Sequence, residues 1–502
     1  MTDLKNKKKL KGCMFLNRSY VKWQHALVLD LKKRYGIEEW CAYGYGKGAY
    51  EINKIQNDIK YEPVLIDELL FVKAHKEVVD EEYLSKKEKE YGHPYWWQEF
   101  TSERQMSVNW PRQFYNTFNP TLNHHEIKQQ FQIRIREIEK MLDEVKPDFV
   151  FLADAGAMGI NILYYIAKKK GIPTVILSIS RFSGLSGFTD NLFGTFNTVE
   201  KIFEDIRSKK YLSPKREKAI RFIQDFRSRP EKPYYILSEF WNKSMQSSAK
   251  KFILFCKNFI RKCIDSFDNS FPKVYGYSPF DFVRHNFLFW LNSYKTPKFH
   301  TIDYKEDYVF FALTSEPELS LLMQAPYFAD QKWVVRMVAQ SLPLNFKLYV
   351  KDHPQMPGYR NSNFYKEIKK FPNIKLIDTK TDSMELIKNS KLVVTITGTV
   401  GFEALFFKKP VITFGSVNYN AISFIKKCRT PDDLPFIIKD ALENHKHNEE
   451  EFVDFVSAFL EDSFKIDITK LIFERDIEKI KQNPDIKIIA DEMMKYFNNY
   501  TL

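Results

Sequence analysis

Two short stretches hold residue types suited to phosphate chemistry. The first, "LYVKDHP" (Leu348–Pro354), closes an apolar run with a lysine, a histidine and a proline. The imidazole of His353 can donate to a phosphate oxygen or give a proton to a departing phosphate. Lys351 adds positive charge, and Pro354 bars the residue before it from helical geometry. The second, "TITGTVGFEALFFKKPVITFG" (Thr395–Gly415), sets a small-residue turn before a glutamate. Thr397, Gly398, Thr399 and Gly401 have little bulk, so backbone N–H groups there can approach a phosphate. A helix starting near Gly401 adds partial positive charge. Glu403, in its first turn, can accept two hydrogen bonds from a ribose diol. Each feature also has a plain reading: a histidine that only bonds within the fold, a glutamate that only caps a helix.

A third stretch, "TSEPELS" (Thr314–Ser320), stiffens a loop with Pro317. Thr314, Ser315 and Ser320 can bind phosphate or sugar hydroxyls. Glu316 and Glu318 can meet sugar hydroxyls or serve in proton transfer, unless the loop is only a capped helix start. Upstream, "LADAGAMG" places Asp154 after an apolar run, as general base for an acceptor hydroxyl or as the N-cap of the next helix. Arg181 and Asp190 in "SISRFSGLSGFTDN", and Arg18 and His25 in "NRSYVKWQH", can face an acceptor or an anionic donor. There is no acidic pair or Cys/His spacing suited to a metal, so no metal or other cofactor is expected. The cysteines, Cys13, Cys41, Cys256, Cys263 and Cys428, are scattered and read as reduced thiols of a cytosolic protein.

In open parallel sheets, ligands bind at the carboxyl ends of strands, so these residues require sheets to carry them. Apolar runs such as "KGCMFL", "PDFVFLAD" and "PTVILS", and later "DYVFFAL", "FKLYVK", "KLVVTIT" and "PVITFG", alternate with amphipathic helices. Strands apolar on both faces predict parallel sheets covered by helices. The 502 residues exceed one ordinary core. The expected organisation is an α/β domain over 1–210 with a helical insertion at about 62–130, a basic helical linker over 211–300, a second α/β domain over 301–431, and a helical tail over 432–502. A hydrophobic fraction of 44% excludes wholesale disorder. No window reaches the roughly 18 apolar residues of a membrane span, and the basic N-terminus lacks a signal-peptide core. A cytoplasmic chain is expected.

The net charge of +13 favours an anionic partner, such as a nucleotide, lipid surface, nucleic acid or acidic glycan, or reflects lysines on solvated helices. In "SAKKFILFCKNFIRKCIDSF", Phe252, Phe255, Phe259, Cys263 and Phe267 recur at helical spacing, with Lys250, Lys251, Lys257, Arg261 and Lys262 around them. This basic amphipathic helix suits an anionic membrane face, or packs on the protein with its lysines in water. No nucleic-acid motif is recognised, and no nucleic-acid partner is expected.

"YVKDHP", "TITGTVGFEALFFKKPVITFG", "FFALTSEPELS" and "FADQ" together resemble the capsule polysaccharide biosynthesis family, which includes bacterial transferases of 3-deoxy-octulosonic acid (Kdo). The resemblance is best over Tyr308–Gly415 and weaker over "KPDFVFLADAGAMG" and "RFIQDFRSRPEKPYY". The His-Pro pair is also similar to the motif of bacterial sialyltransferases. The chain has "TSEPELS" where many relatives have an aromatic or histidine-rich loop, and it lacks the QxSxxG of some Kdo transferases. The resemblance implies a GT-B enzyme: two Rossmann-like domains facing a cleft, with helical insertions and a C-terminal helical tail. The donor would lie in the C-terminal half, with His353 and Pro354 at its phosphate and Thr399, Gly401 and Glu403 at its nucleotide. The implied activity is transfer of a sugar from a nucleotide-sugar donor, best a CMP-linked acidic sugar such as Kdo, to a glycan or glycolipid acceptor. The alternatives are a nucleotide-sugar epimerase or hydrolase, and a non-catalytic assembly subunit docked on membrane.

Overall fold

The apolar runs become the strands of two sheets. The computed structural model describes residues 9–18, 20–107, 120–153, 156–180, 184–193, 196–230, 248–274, 278–295 and 297–500. The first half contributes β1 (Lys11–Leu16), β2 (Glu39–Gly44), β3 (Tyr61–Ile66), β4 (Phe149–Leu152), β5 (Thr174–Ile179) and β6 (Leu185–Thr189). The second contributes β7 (Tyr308–Ala312), β8 (Lys347–Lys351), β9 (Ile374–Ile377), β10 (Leu392–Thr395), β11 (Val411–Thr413) and β12 (Lys426–Lys427). A last short strand, β13 (Phe464–Lys465), returns to the first sheet.

The first sheet runs β3-β2-β1-β4-β5-β6-β13, parallel from β3 to β5 and antiparallel at β6 and β13. The second runs β9-β8-β7-β10-β11-β12 and is parallel throughout. Both are doubly wound Rossmann-like sheets. Their strand order reverses between β1 and β4, and between β7 and β10, where such sheets open a crevice at the carboxyl edge. Side chains alternate across each sheet. Cys13 and Phe15 enter one core of the first domain, Met14 and Leu16 the other. Tyr308 and Phe310 enter one core of the second domain, Val309 and Phe311 the other.

The two carboxyl edges meet. A Cβ added at Gly156, just after β4, would lie 2.1 Å from Leu319 Cδ2, just after β7. Arg104 Nη1 donates to the Pro317 carbonyl at 3.3 Å, and Gln98 Nε2 to the Met323 carbonyl at 3.5 Å.

The elements divide between the domains differently from the linear segmentation. "YEPVLI", expected within a helical insertion, is β3, an edge strand, which is where a sheet tolerates a proline such as Pro63. The helices Asn197–Arg207 and Arg216–Ser228 pack on the helix Glu449–Glu461 and share its core with Phe402 and Phe406 of the second domain. Phe226 lies 4.2 Å from Phe406, centroid to centroid, and Arg227 forks onto Glu449 at 2.6 and 2.8 Å. The chain then crosses back. The helices Ile477–Lys481 and Pro484–Tyr500 pack on the helix Val21–Tyr35, where Ile489, Met493 and Phe497 join the core of the first domain and Asp491 pairs with Arg34. The expected tail is therefore part of both domains. Among the described residues no helix is long and apolar enough to cross a membrane.

Candidate functional site

Three loops meet where the second sheet reverses its strand order. They follow β7 (Leu313–Glu318), β8 (Asp352–Pro354) and β10 (Ile396–Thr399). A buried arginine that the sequence reading passes over ties the first two together. Arg360 is bonded through Nη1 to Asp352 Oδ1, through Nη2 to the Thr314 carbonyl at 2.7 Å, and through Nε to Glu316 Oε2 at 3.2 Å. Tyr365 donates its hydroxyl to Asp352 Oδ2 at 2.6 Å, and the His353 N–H donates to Asp352 Oδ1 at 2.7 Å. Asp352 thus aligns the backbone that carries His353.

This network gives several expected ligand groups a place in the loop itself. Glu316, read from the sequence as a proton-transfer group, is held by Arg360, and burial pushes its carboxyl above the ordinary range. The Thr314 N–H donates to Gln331 Oε1 at 2.7 Å, and its carbonyl accepts from Gln331 Nε2 at 3.0 Å. The Ser315 hydroxyl donates to Glu318 at 3.0 Å. His353 is half-buried, beside Pro354. Its Nδ1 accepts from the Gln355 N–H at 3.2 Å, which puts the ring proton of the neutral form on Nε2.

Lys351 ends β8 at 5% exposure and donates to Ser383 Oγ at 3.0 Å. Burial lowers its pKa, while Asp382, Asp352 and Glu403 pull the other way. Glu403 is 6% exposed, and burial lifts its carboxyl from its ordinary value to about 7, opposed by a hydrogen bond from Thr399 and by Lys351. Glu403 is thus poised to exchange a proton near neutral pH. The N–H groups of the two glycines are taken up within the turn, Gly398 donating to Thr395 Oγ1 at 3.0 Å and Gly401 to the Gly398 carbonyl at 3.3 Å. A Cβ at Gly398 would lie 2.6 Å from Thr395 Oγ1, and one at Gly401 would lie 2.6 Å from the Tyr419 hydroxyl, which donates to the Gly398 carbonyl. Glycine is needed there for close packing of the chain on itself. The helix Val400–Phe406 has only seven residues, so its dipole is short. Thr397 Oγ1 is buried with no hydrogen-bond partner, which leaves a polar atom at the switch point for a ligand.

The raised Glu403 pKa has a consequence for stability. The folded chain keeps this proton to about pH 7, while the unfolded chain releases it near the ordinary glutamate value of 4.5. The stability it carries is therefore fully present below about pH 4.5 and lost as pH rises through about 7. Glu403→Gln should flatten that fall and raise stability at pH 8 by about 3 kcal/mol relative to wild type. Parallel urea titrations of both proteins at pH 5 and pH 8 measure it, and an unchanged pH slope would refute it.

On the first domain, Arg18 follows β1 at the switch point, pairs with the buried Glu68 at 3.1 Å and stays 40% exposed. Asp154 and Arg181 lie outside the described residues. Asp190 is a correction. Because β6 runs antiparallel to β5, its end lies beside the start of β5, at the amino edge away from the crevice. There Asp190 pairs with Lys168 at 2.6 Å. His25 is a core residue, bonded to the Tyr61 hydroxyl at 2.9 Å, and burial lowers its pKa to about 4. Among the described residues no three His, Cys, Asp or Glu side chains gather as a metal site.

Fold and site together define a protein of two Rossmann-like domains with a polar crevice at the second domain's switch point. The resemblance read from the motifs is borne out over that domain: residues 298–424 match the family described as capsule polysaccharide biosynthesis protein. A 129-residue stretch is 30% identical to Protein FixF of Sinorhizobium fredii, covering 24% of this chain and 30% of that relative's length. Among solved structures, KpsC of Thermosulfurimonas dismutans, a beta Kdo 2,7 transferase, aligns with a TM-score of 0.37 and 12% identity, covering 74% of this chain and 97% of that one. A UDP-GlcNAc 2-epimerase of Methanocaldococcus jannaschii aligns with a TM-score of 0.25 and 14% identity, covering 90% and 99%.

Proposed function

We propose that this chain is a glycosyltransferase of bacterial capsule or surface-polysaccharide biosynthesis. The observation that carries the reading is the convergence of the loops holding His353 and Thr397, with the helix that carries Glu403, at one switch point inside the segment that matches the capsule family. The donor is a nucleotide-sugar, best a CMP-linked acidic sugar such as Kdo, and the acceptor a glycan or glycolipid at the inner face of the cytoplasmic membrane. Lys351, His353, Pro354, Thr397, Thr399 and Glu403 bind the donor, and Arg18 and Arg181 face the acceptor.

In this reading an acceptor oxygen bonds to the anomeric carbon as the bond to the nucleotide phosphate breaks. His353 Nε2–H donates to the departing phosphate, and Lys351 offsets its charge. Asp154 takes the acceptor hydroxyl proton. A single phosphate can be neutralised by such groups without a metal.

The test is thermal stabilisation by CMP, CDP, UMP, UDP and GDP, on wild type and His353→Ala. CMP at about 100 times its dissociation constant is expected to add roughly 2.7 kcal/mol to the wild type only. Stabilisation by UDP or GDP instead would replace the acidic-sugar donor with a neutral one. Stabilisation by no nucleotide would sink the enzyme reading.

A further inference from the structure

The helices Ser248–Phe267 and Pro279–Tyr294 pack on each other as a hairpin, and the described side chains of neither are buried. Phe255 stacks on Phe282 at 5.2 Å and, more distantly, on Phe259 at 6.5 Å. Of the face marked as apolar in the sequence, Phe255 is thus spent inside the hairpin, while Phe252 and Phe267 stay exposed. The outward faces are apolar as well. On the first helix Ile253, Ile260, Ile264 and Phe267 recur along one stripe, Phe267 being 84% exposed. On the second, Phe280, Val283, Phe287, Trp290 and Tyr294 recur at intervals of three and four, Tyr294 being 74% exposed. An outward stripe of this kind on two adjoining helices needs a partner.

Charge points to which partner. Lys257 and Arg261 lie exposed on or beside the first stripe, and Arg284 beside the second. Residues 248–298 hold nine lysines and arginines against three aspartates. Of those aspartates, Asp265 lies 4.0 Å from Arg261, Asp268 is paired with Lys47 at 2.7 Å and Asp281 caps its own helix, so the cations remain in excess. The side chains of Lys250 and Lys251 lie outside the described residues. Apolar stripes flanked by an excess of cations match the interface of an anionic bilayer, where acyl chains lie beneath negative headgroups.

The attachment of the hairpin gives this surface an orientation. Lys47 also donates to Ser270 at 2.8 Å, and Phe271 packs on Tyr50 at 5.5 Å, both on the helix Gly46–Tyr50 that follows β2. At the other end Asn292 Nδ2 donates to the Gly358 carbonyl at 3.2 Å, and Phe289 packs on Tyr359 at 5.0 Å, in the loop that follows β8 and carries His353. Each anchor follows a strand at the carboxyl edge of one domain, so the hairpin bridges the rim of the crevice between them.

We infer that this hairpin lays its two outward stripes into the interface of an anionic phospholipid bilayer and so holds the mouth of the interdomain crevice against the lipid surface. The inference deepens the proposed transferase only in what that orientation serves, a lipid-borne acceptor. The binding itself requires no donor.

The experiment is co-sedimentation of the full chain with vesicles of phosphatidylglycerol and phosphatidylcholine, compared with phosphatidylcholine alone, at low and high salt. Wild type is expected to bind the anionic vesicles and to be released by salt. Lys257→Glu with Arg261→Glu should weaken binding on the order of ten-fold or more. Ile260→Asp with Ile264→Asp, and separately Phe287→Ser with Trp290→Ser, should abolish binding with the thermal midpoint unchanged, because these side chains face water in the isolated protein. Wild type that ignores anionic vesicles, or stripe variants that bind as wild type does, would overturn the inference. So would a wild-type dimer that the stripe variants split and that never binds vesicles, since the stripes would then face a second copy. A chain that binds vesicles but is stabilised by no nucleotide keeps this inference and loses the transferase, and the converse result does the reverse.

Discussion

Arg360→Met is expected to lower the unfolding free energy by about 3–5 kcal/mol, the usual cost of removing one partner from a buried ionic group. Arg360 is fully enclosed and is bonded to Asp352, Glu316 and the Thr314 carbonyl. Without it two carboxyl groups and a carbonyl stay buried with no cation between them. A methionine fills the volume but supplies no donor. The loss should be larger at pH 8 than at pH 5. Burial already raises the Glu316 carboxyl, and without Arg360 it would hold its proton to still higher pH, so the defect grows as pH rises. Arg360→Lys keeps the charge and loses the fork, and should fall between the two. Urea unfolding of the three proteins at both pH values is the measurement. A methionine variant within 1 kcal/mol of wild type, a figure at the margin of ordinary surface substitutions, would mean that the clamp does not hold the β7 and β8 loops together.

His353→Ala should leave the fold intact, because the ring is half-exposed, and should lower sugar transfer by about 10²–10⁴-fold, the usual weight of a positioned acid. The geometry supports this size of effect. Asp352 holds the His353 N–H, Pro354 restricts the chain, and Gln355 engages Nδ1, so the proton sits on Nε2. His353→Gln retains a donor without an acid and should recover part of the phosphate binding but little of the rate. Single-turnover transfer with the donor found by the thermal panel separates the two contributions. A wild-type rate in the alanine variant would remove His353 from the chemistry and leave it as a loop residue.

Much of the second domain is legible in the chain. Continuous apolar runs with polar residues at their ends identify β7, β8, β10 and β11 and place Thr314, His353 and Thr397 at one edge, because burial on both faces and a period of strand length are local properties. The same reasoning finds β1, β4 and β5. It misses β3, where Pro63 breaks the pattern of a strand that only an edge could accept.

The sequence by itself determined the class of fold, the strand ends of the second domain and the basic amphipathic character of the helix Ser248–Phe267. The tertiary structure alone decided what each group meets. Arg360 sits in an irregular loop with no period to mark it, yet it joins two strand ends. Gly398 and Gly401 are required by Thr395 and Tyr419, not by an open path to a ligand. Asp190 follows a strand like the others, but the reversed direction of β6 carries it to the far edge. The last helices look like a tail and instead close the core of the first domain. The physical reason is common to all four. A hydrophobic period says that a face is buried, but the identity of its partner and the direction of its neighbour are set by contacts between residues far apart in the chain.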